Sequence, residues 1–283
     1  MGELEGQLAV VTGAGAGIGQ GIAVELARRG ADIAIVEIDP DRAEVTAELV
    51  REAGTRAVAL PVDMMDSDGV RAAVESAATE FGRLDILVNN AGGVGVRPFL
   101  AQTEKNWRRL IDLNLIGMLT ATHAAVPHMV DGGRGGVVLN IVSIEASRAA
   151  PNFAVYASCK AAQVNLTRTW ALEFAEHNVR VNALAPDVII TPGIRGNIRG
   201  PVDESTWFQF SPEDQDAMDR YIPLGHEGSV AEFAEVAAFF CSPGARYVTG
   251  TVLPVDGGTW ASAGWTRPPG GEGWTLTGRA TSF

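Results

Sequence analysis

Cysteine is almost missing from this 283-residue chain: Cys159 and Cys241 stand far apart and in no C-x-x-C spacing. That leaves no parts for a disulfide framework and reads as two reduced thiols in a reducing compartment. Basic residues are also short, 22 Lys and Arg against 34 Asp and Glu, for a formal net charge of −12. Nucleic acid and anionic membranes need clustered Lys and Arg, so neither is expected as a partner. Histidine is sparse: His123 and His128 are five apart, off a common helix face, and His177 and His226 are isolated. No metal site is expected from them. Apolar runs fall short of the roughly 20 residues that span a bilayer, and no basic n-region precedes the first strand pattern. A cytoplasmic protein is expected.

What is present is ordinary globular material, 46% hydrophobic and 20% charged, arranged in a regular alternation. Short apolar runs at Leu8–Val11, Ile33–Val36, Ala57–Val62, Ile86–Val88, Val137–Val142, Val179–Leu184 and Val252–Val255 read as strands, with helical patterns between them. Continuous apolar strands separated by helices predict an α/β fold. The expected form is a Rossmann-like doubly wound parallel sheet of about seven strands with helices on both faces. One catalytic domain is expected over residues 1–260. Residues 190–225 break the rhythm with Pro, Gly, charges and the aromatics Trp207, Phe208 and Phe210, and read as a substrate lid beside the carboxyl ends of the strands. Residues 261–283 carry too much Gly and Pro for a regular element. They are expected to form an extended arm that docks its tryptophans on a neighbouring subunit.

The run Thr12-Gly13-Ala14-Gly15-Ala16-Gly17-Ile18-Gly19 turns strand one into the first helix. Glycines there let backbone approach a pyrophosphate, and a helix N-terminus offers free N–H groups to it. The G-x-G-x-x-G frame of other dinucleotide folds fits nowhere in the run. Glu37 ends strand two, where a carboxylate can accept both ribose hydroxyls of NAD and repel the 2′-phosphate of NADP. No Arg or Lys lies between Ala31 and Asp41 to bind that phosphate. NAD is therefore the expected cofactor.

Tyr156 and Lys160 stand one turn apart at the start of a helix. A tyrosine with its ordinary pKa of about 10 is a poor base at neutral pH, and a neighbouring ammonium lowers it toward use. Ser143 closes strand five, where it can orient a substrate oxygen. Asn114 lies in the helix after strand four, and Asn89-Asn90-Ala91-Gly92 ends strand four at the same sheet edge.

In this order, with Asp63 after strand three and the terminal Val255-Asp256-Gly257-Gly258, these motifs resemble the short-chain dehydrogenase/reductase family over about residues 5–258. The resemblance implies that Tyr156 is the acid/base, that Lys160 lowers its pKa and binds the nicotinamide ribose, that Ser143 polarises the carbonyl and that Asn114 anchors a relay water. It implies a cofactor surface from Gly13, Gly17, Ile18 and Gly19, from Glu37, Asp63 and Met64, and from Asn90, Ala91 and Gly92. Pro186, Ile189 and Thr191 complete that surface, with Tyr156 and Lys160. Two residues depart from the pattern: Asp187 replaces the glycine usual after Pro186, and Glu145 stands two beyond Ser143 where a small residue is commoner. The implied assembly is a homotetramer, with a dimer as second choice. The expected reaction moves a hydride between NAD and a largely apolar secondary alcohol or ketone; a steroid, terpenoid or cyclic alcohol fits. A 3-oxoacyl-carrier-protein reductase and a catalytically silent NAD-binding regulator are the alternatives.

Overall fold

A computed structural model of the chain describes residues 2–197, 199–270 and 272–276. Seven strands form its centre: β1 (Leu8–Thr12), β2 (Asp32–Glu37), β3 (Ala57–Pro61), β4 (Ile86–Asn89), β5 (Gly136–Ile141), β6 (Val179–Pro186) and β7 (Val252–Val255). They make one sheet in the order β3-β2-β1-β4-β5-β6-β7, with every pairing parallel. The apolar runs make this possible because both faces of the sheet are covered. Helices α1 (Gly17–Arg28), α2 (Pro40–Glu52) and α8 (Val230–Cys241) cover one face, with Ile22, Leu26, Val50 and Phe233 against Val11, Ile33 and Ile35. Helices α3 (Ser67–Phe81), α5 (Gly117–Asp131) and α6 (Ala154–Glu173) cover the other, where Val74, Ala121 and Trp170 meet Val10, Leu87 and Val138. The chain reverses direction across the sheet between β1 and β4, which opens a crevice at their carboxyl ends.

Local chemistry sets the element ends. Asp39 accepts from the N–H groups of Asp41 and Arg42, so α2 starts at Pro40. Asp66 does the same for Asp68 and Gly69 at the start of α3, and Gly82 in the left-handed region stops that helix. The sequence reading ended β6 at Leu184; in the structure it runs on to Pro186, because Ala185 and Pro186 still pair with Pro254 and Val255. The helix expected after β4 is two, α4 (Glu104–Ile111) and α5, joined by a five-residue π turn at Asp112–Ile116. By length and composition the continuous run Glu104–Asp131 would be apolar enough to cross a bilayer, a segment the sequence reading did not find. In this fold 56% of its apolar window is buried.

The lid contains α7 (Pro212–Tyr221) and is tied to the domain at several points. Arg195 pairs with Glu227 at 2.7 Å, both nearly buried, and its guanidinium lies over the rings of Phe208 and Phe210. The tail differs from the expected extended arm. After the short helix α9 (Thr259–Ser262) it turns back as a small antiparallel loop, with Thr266 bridged to Thr275. Arg267 donates from its backbone to the Arg220 carbonyl and from its side chain to the Pro223 carbonyl, and lies over Trp274. Glycine and proline allow this because the bridge needs a turn, not a long strand. The tail thus docks on the lid of its own chain. Phe283 lies outside the described residues.

Candidate active site

The glycine loop is shaped by contacts that leave no room for side chains. Gly13 (φ +62°) and Gly17 (φ +59°) occupy the left-handed region. A Cβ on Gly13 would stand 2.8 Å from the Ala91 Cα, and one on Gly17 3.2 Å from the Thr191 Cβ. A Cβ on Gly19 would meet the Gly13 carbonyl oxygen at 2.2 Å. The loop therefore touches the ends of both β4 and β6. Asn90 holds it there: its amide donates to the carbonyls of Thr12 and Gly13, and the Thr12 hydroxyl accepts the N–H groups of Asn90 and Ala91. Asn90 thus acts on the loop's shape, with its amide committed to these carbonyls. Ala16 precedes α1 and offers no side-chain cap, so no capping side chain covers the first N–H groups of α1, at Ile18 and its neighbours.

Glu37 accepts three backbone N–H groups, from Gly15 at 3.0 Å, Ile38 at 2.9 Å and Asp39 at 3.1 Å. It links the glycine loop to the end of β2. A basic residue does stand near it, one position beyond the 31–41 stretch that has none: Arg42 packs beside Gly15 and Glu37, its guanidinium donating to the carbonyls of Gly200 and Asn197 in the lid. Asp63 closes a turn by accepting from the Met65 N–H, and Met64 is buried under Gly117. Ile189 is buried and bridges to Gly228, placing Pro186, Ile189 and Thr191 along one edge of the crevice.

Tyr156, Lys160, Ser143 and Asn114 converge at the other side. Lys160, one of only two lysines in the chain, is 4% exposed and donates to the Ile141 carbonyl at 2.9 Å. Its ammonium lies 5.7 Å from the Tyr156 ring centre, and burial pulls its pKa down to about 8. A Cβ on Gly92 would lie 2.8 Å from the Asn114 Oδ1 and 3.6 Å from the Lys160 Nζ, so these three groups are neighbours. The Tyr156 phenol is raised above its ordinary value, first by burial; a hydrogen bond with Ser143 pulls it down and the Glu145 carboxylate pushes it up. The lowering expected from Lys160 is not what acts here: Ser143 is the group that lowers the phenol, and burial outweighs it.

Asn114 is fully buried in the π turn. Its amide accepts from the Gly93 N–H and donates to the carbonyls of Gly93 and Leu110. The π turn frees the Asn114 backbone carbonyl, which accepts from the Gln163 side chain. Gln163 sits one turn after Lys160, and a buried chain of amides and hydroxyls (Thr167, Asn140, Asn89, Thr122) continues from it through the sheet. Reading by motif missed Gln163, although its i+3 spacing from Lys160 was visible.

The two carboxylates that break the motif pattern meet each other. Arg148 holds Glu145 through Nη2 at 2.8 Å and Nε at 3.2 Å, and reaches Asp187 at 3.4 Å. The Tyr221 hydroxyl accepts from Arg148 at 2.6 Å and donates to Asp187 at 2.9 Å. Burial raises the Asp187 carboxyl, while bonds from Thr259, Arg148 and Tyr221 pull it down. Two of the chain's three tyrosines therefore stand at this site.

The chain matches a family model described as Enoyl-(Acyl carrier protein) reductase over residues 13–259. It is 35% identical over 255 residues to 7alpha-hydroxysteroid dehydrogenase of Escherichia coli, covering 90% of this chain and 94% of the relative. The chain belongs to the short-chain dehydrogenase/reductase family. Two solved members of that family superpose closely. A 7alpha-hydroxysteroid dehydrogenase complexed with NADH and 7-oxo glycochenodeoxycholic acid matches with TM-score 0.82 at 35% identity, covering 90% of this chain and 94% of that one. Carveol dehydrogenase from Mycobacterium avium, in complex with NAD, matches with TM-score 0.84 at 32% identity, covering 92% and 100%. As a short-chain dehydrogenase/reductase the chain is a nicotinamide-dependent oxidoreductase of CH–OH groups.

Proposed function

We propose that this enzyme interconverts a largely apolar secondary alcohol and its ketone with NAD, using Tyr156 as the acid/base. The observation that carries the reading is the convergence of Tyr156, Ser143, the buried Lys160 and Asn114 beside a glycine loop with an uncapped helix N-terminus. The crevice fits a dinucleotide: side chains are excluded where a pyrophosphate would pass, and the first-turn N–H groups carry no side-chain cap. Gly13, Gly17, Ile18 and Gly19 would hold the pyrophosphate. Glu37 would face the adenosine ribose, Asp63 and Met64 the adenine, and Asn90, Ala91 and Gly92 the middle of the cofactor. Pro186, Ile189, Thr191, Tyr156 and Lys160 would line the nicotinamide end. NAD, when bound, supplies the hydride acceptor. A carboxylate at the ribose and the −12 formal charge support NAD over NADP and over a carrier-protein substrate, which would want a basic docking face.

Tyr156 takes the hydroxyl proton of the alcohol in oxidation and returns it to the ketone oxygen in reduction. Ser143 holds that oxygen through its hydroxyl. The raised phenol leaves Tyr156 protonated at neutral pH, the state a ketone oxygen requires of its donor. Lys160, with its ammonium beside Gly92 and Asn114, stabilises the phenolate in the opposite direction, and Asn114 anchors the water that exchanges the proton with solvent. Trp207, Phe208 and Phe210 give the lid an apolar surface, and relatives named for hydroxysteroids and carveol support a cyclic hydrocarbon substrate. The enzyme works as a homotetramer in a soluble, cytoplasmic setting, with a dimer the second choice. Tyr156→Phe keeps the ring and removes the transferable proton. The expected result with a secondary-alcohol panel is a fall in kcat of about 10²–10⁴ with NAD binding retained; turnover near the wild-type rate overturns the assignment.

A further inference from the structure

The loops after β5 and β6 each carry a carboxylate, Glu145 beside the Ser143–Tyr156 pair and Asp187 joined to Glu145 through the Arg148 guanidinium. Glu145 is joined to Ser143 directly, since its N–H donates to the Ser143 hydroxyl at 3.2 Å. Asp187 follows Pro186 at the end of β6 and meets Glu145 through Arg148. The Glu145 and Asp187 side chains are 18% and 11% exposed, so water screens them weakly. Arg148 lies between the two carboxylates and engages four of its five N–H groups in this network. It grips Glu145 with two nitrogens, reaches Asp187 with one of these, and gives the third to the Tyr221 hydroxyl. Tyr221, at the end of α7, closes the network by donating to Asp187, so most of the Arg148 donors are already engaged inside the network. Lys160, the other cation near the phenol, is engaged by the Ile141 carbonyl. The two cations match the two carboxylates in number, but the charge felt at the reacting group is that of Glu145, which raises the Tyr156 phenol.

We propose that Glu145 and Asp187 set the charge selectivity of the substrate site, admitting neutral and cationic alcohols and ketones and rejecting those with a carboxylate a few bonds from the carbinol carbon. The proposal rests on the oxidoreductase reading and narrows its substrate class. A carboxylate so placed would meet the Glu145 charge, already felt at the Tyr156 phenol, in a weakly screened pocket. A distant anionic tail, outside the lid, would not.

The test compares a ketone with its own acid: ethyl 3-oxobutanoate and 3-oxobutanoate, each reduced with NADH by the full-length enzyme. The expected wild-type result is a kcat/KM that favours the ester by at least about tenfold, the factor given by roughly 1.4 kcal/mol. Glu145→Gln and Asp187→Asn each narrow that ratio severalfold, chiefly through the KM of the acid. Glu213→Gln, an exposed acid on α7, leaves the ratio alone. A wild-type ratio near one overturns the proposal. So does a ratio unchanged in both variants while their melting temperatures fall, because the network would then be structural only. Calorimetric titration of the NADH-loaded protein with the same two probes reads charge preference without turnover. A protein that binds the ester, excludes the acid and reduces neither overturns the oxidoreductase reading and supports this one. Binding of both alike, or of neither, overturns this one.

Discussion

Lys160 allows a quantitative test that needs no substrate. Its ammonium is buried, its one hydrogen bond is to the Ile141 carbonyl, and its pKa falls from the ordinary 10.5 to about 8. A lysine whose folded pKa is depressed costs stability below that pKa, where folded and unfolded chains both hold the proton. As pH rises from about 8 toward 10.5, the folded chain releases the proton while the unfolded chain keeps it. Stability therefore rises through this window. Integrated from pH 7 to pH 10, the gain is about 2.5 kcal/mol. Lys160→Met keeps most of the length of the side chain and cannot titrate. The assay is urea unfolding of wild type and Lys160→Met at fixed protein concentration over that range. The wild-type free energy should climb relative to the variant by that amount, with the steepest change between pH 8 and 10. Two curves that stay parallel would refute the argument, since they would mean that Lys160 keeps its proton as readily in the fold as in water.

Three further outcomes are expected. Wild type favours NAD over NADP by about tenfold or more in kcat/KM, and Glu37→Ser reduces that preference while weakening NAD itself, because Glu37 also holds the Gly15 N–H. Equal use of NADP by wild type refutes the role of Glu37. Removing residues 262–283 lowers the melting temperature and raises KM, since the end of α7 loses the bonds from Arg267; a truncated enzyme identical in both leaves the tail without a role. Light scattering at micromolar concentration gives a tetramer's mass, or a dimer's, and a monomer's mass refutes the assembly.

The motifs were legible because each one binds a residue type to a local geometry. Gly13, Gly17 and Gly19 follow a strand at spacings that only a tight turn into a helix would use, and their close contacts explain why. Tyr156 and Lys160 share a helix face, so periodicity alone puts them together. What could not be read were partners brought in from remote segments. Arg148 meets Tyr221 across 73 positions and Arg42 meets the Gly200 carbonyl across 158, and no local pattern encodes either. The turn in the tail is not legible for a related reason: composition excludes long elements, but a single bridge between Thr266 and Thr275 asks only for a turn. The raised Tyr156 phenol is hidden too, because burial is set by the packing of the whole fold, while the lysine whose charge suggests a lowered value is visible four residues away.

The π turn at Asp112–Ile116 makes the length of this stretch as informative as its composition. One extra residue is wound into the helix there, and each residue turns an α-helix by about 100°. A natural or engineered deletion of one residue between Asp112 and Ile116 would restore plain helical winding. It would leave Met118, Ala121, Ala125 and Met129 in the core and remove only the bulge, and with it the freed Asn114 carbonyl that accepts from Gln163. Relatives that keep this site must therefore conserve residue count here even where they change every side chain, so a gap in this turn marks a sequence that has given up the Asn114 position.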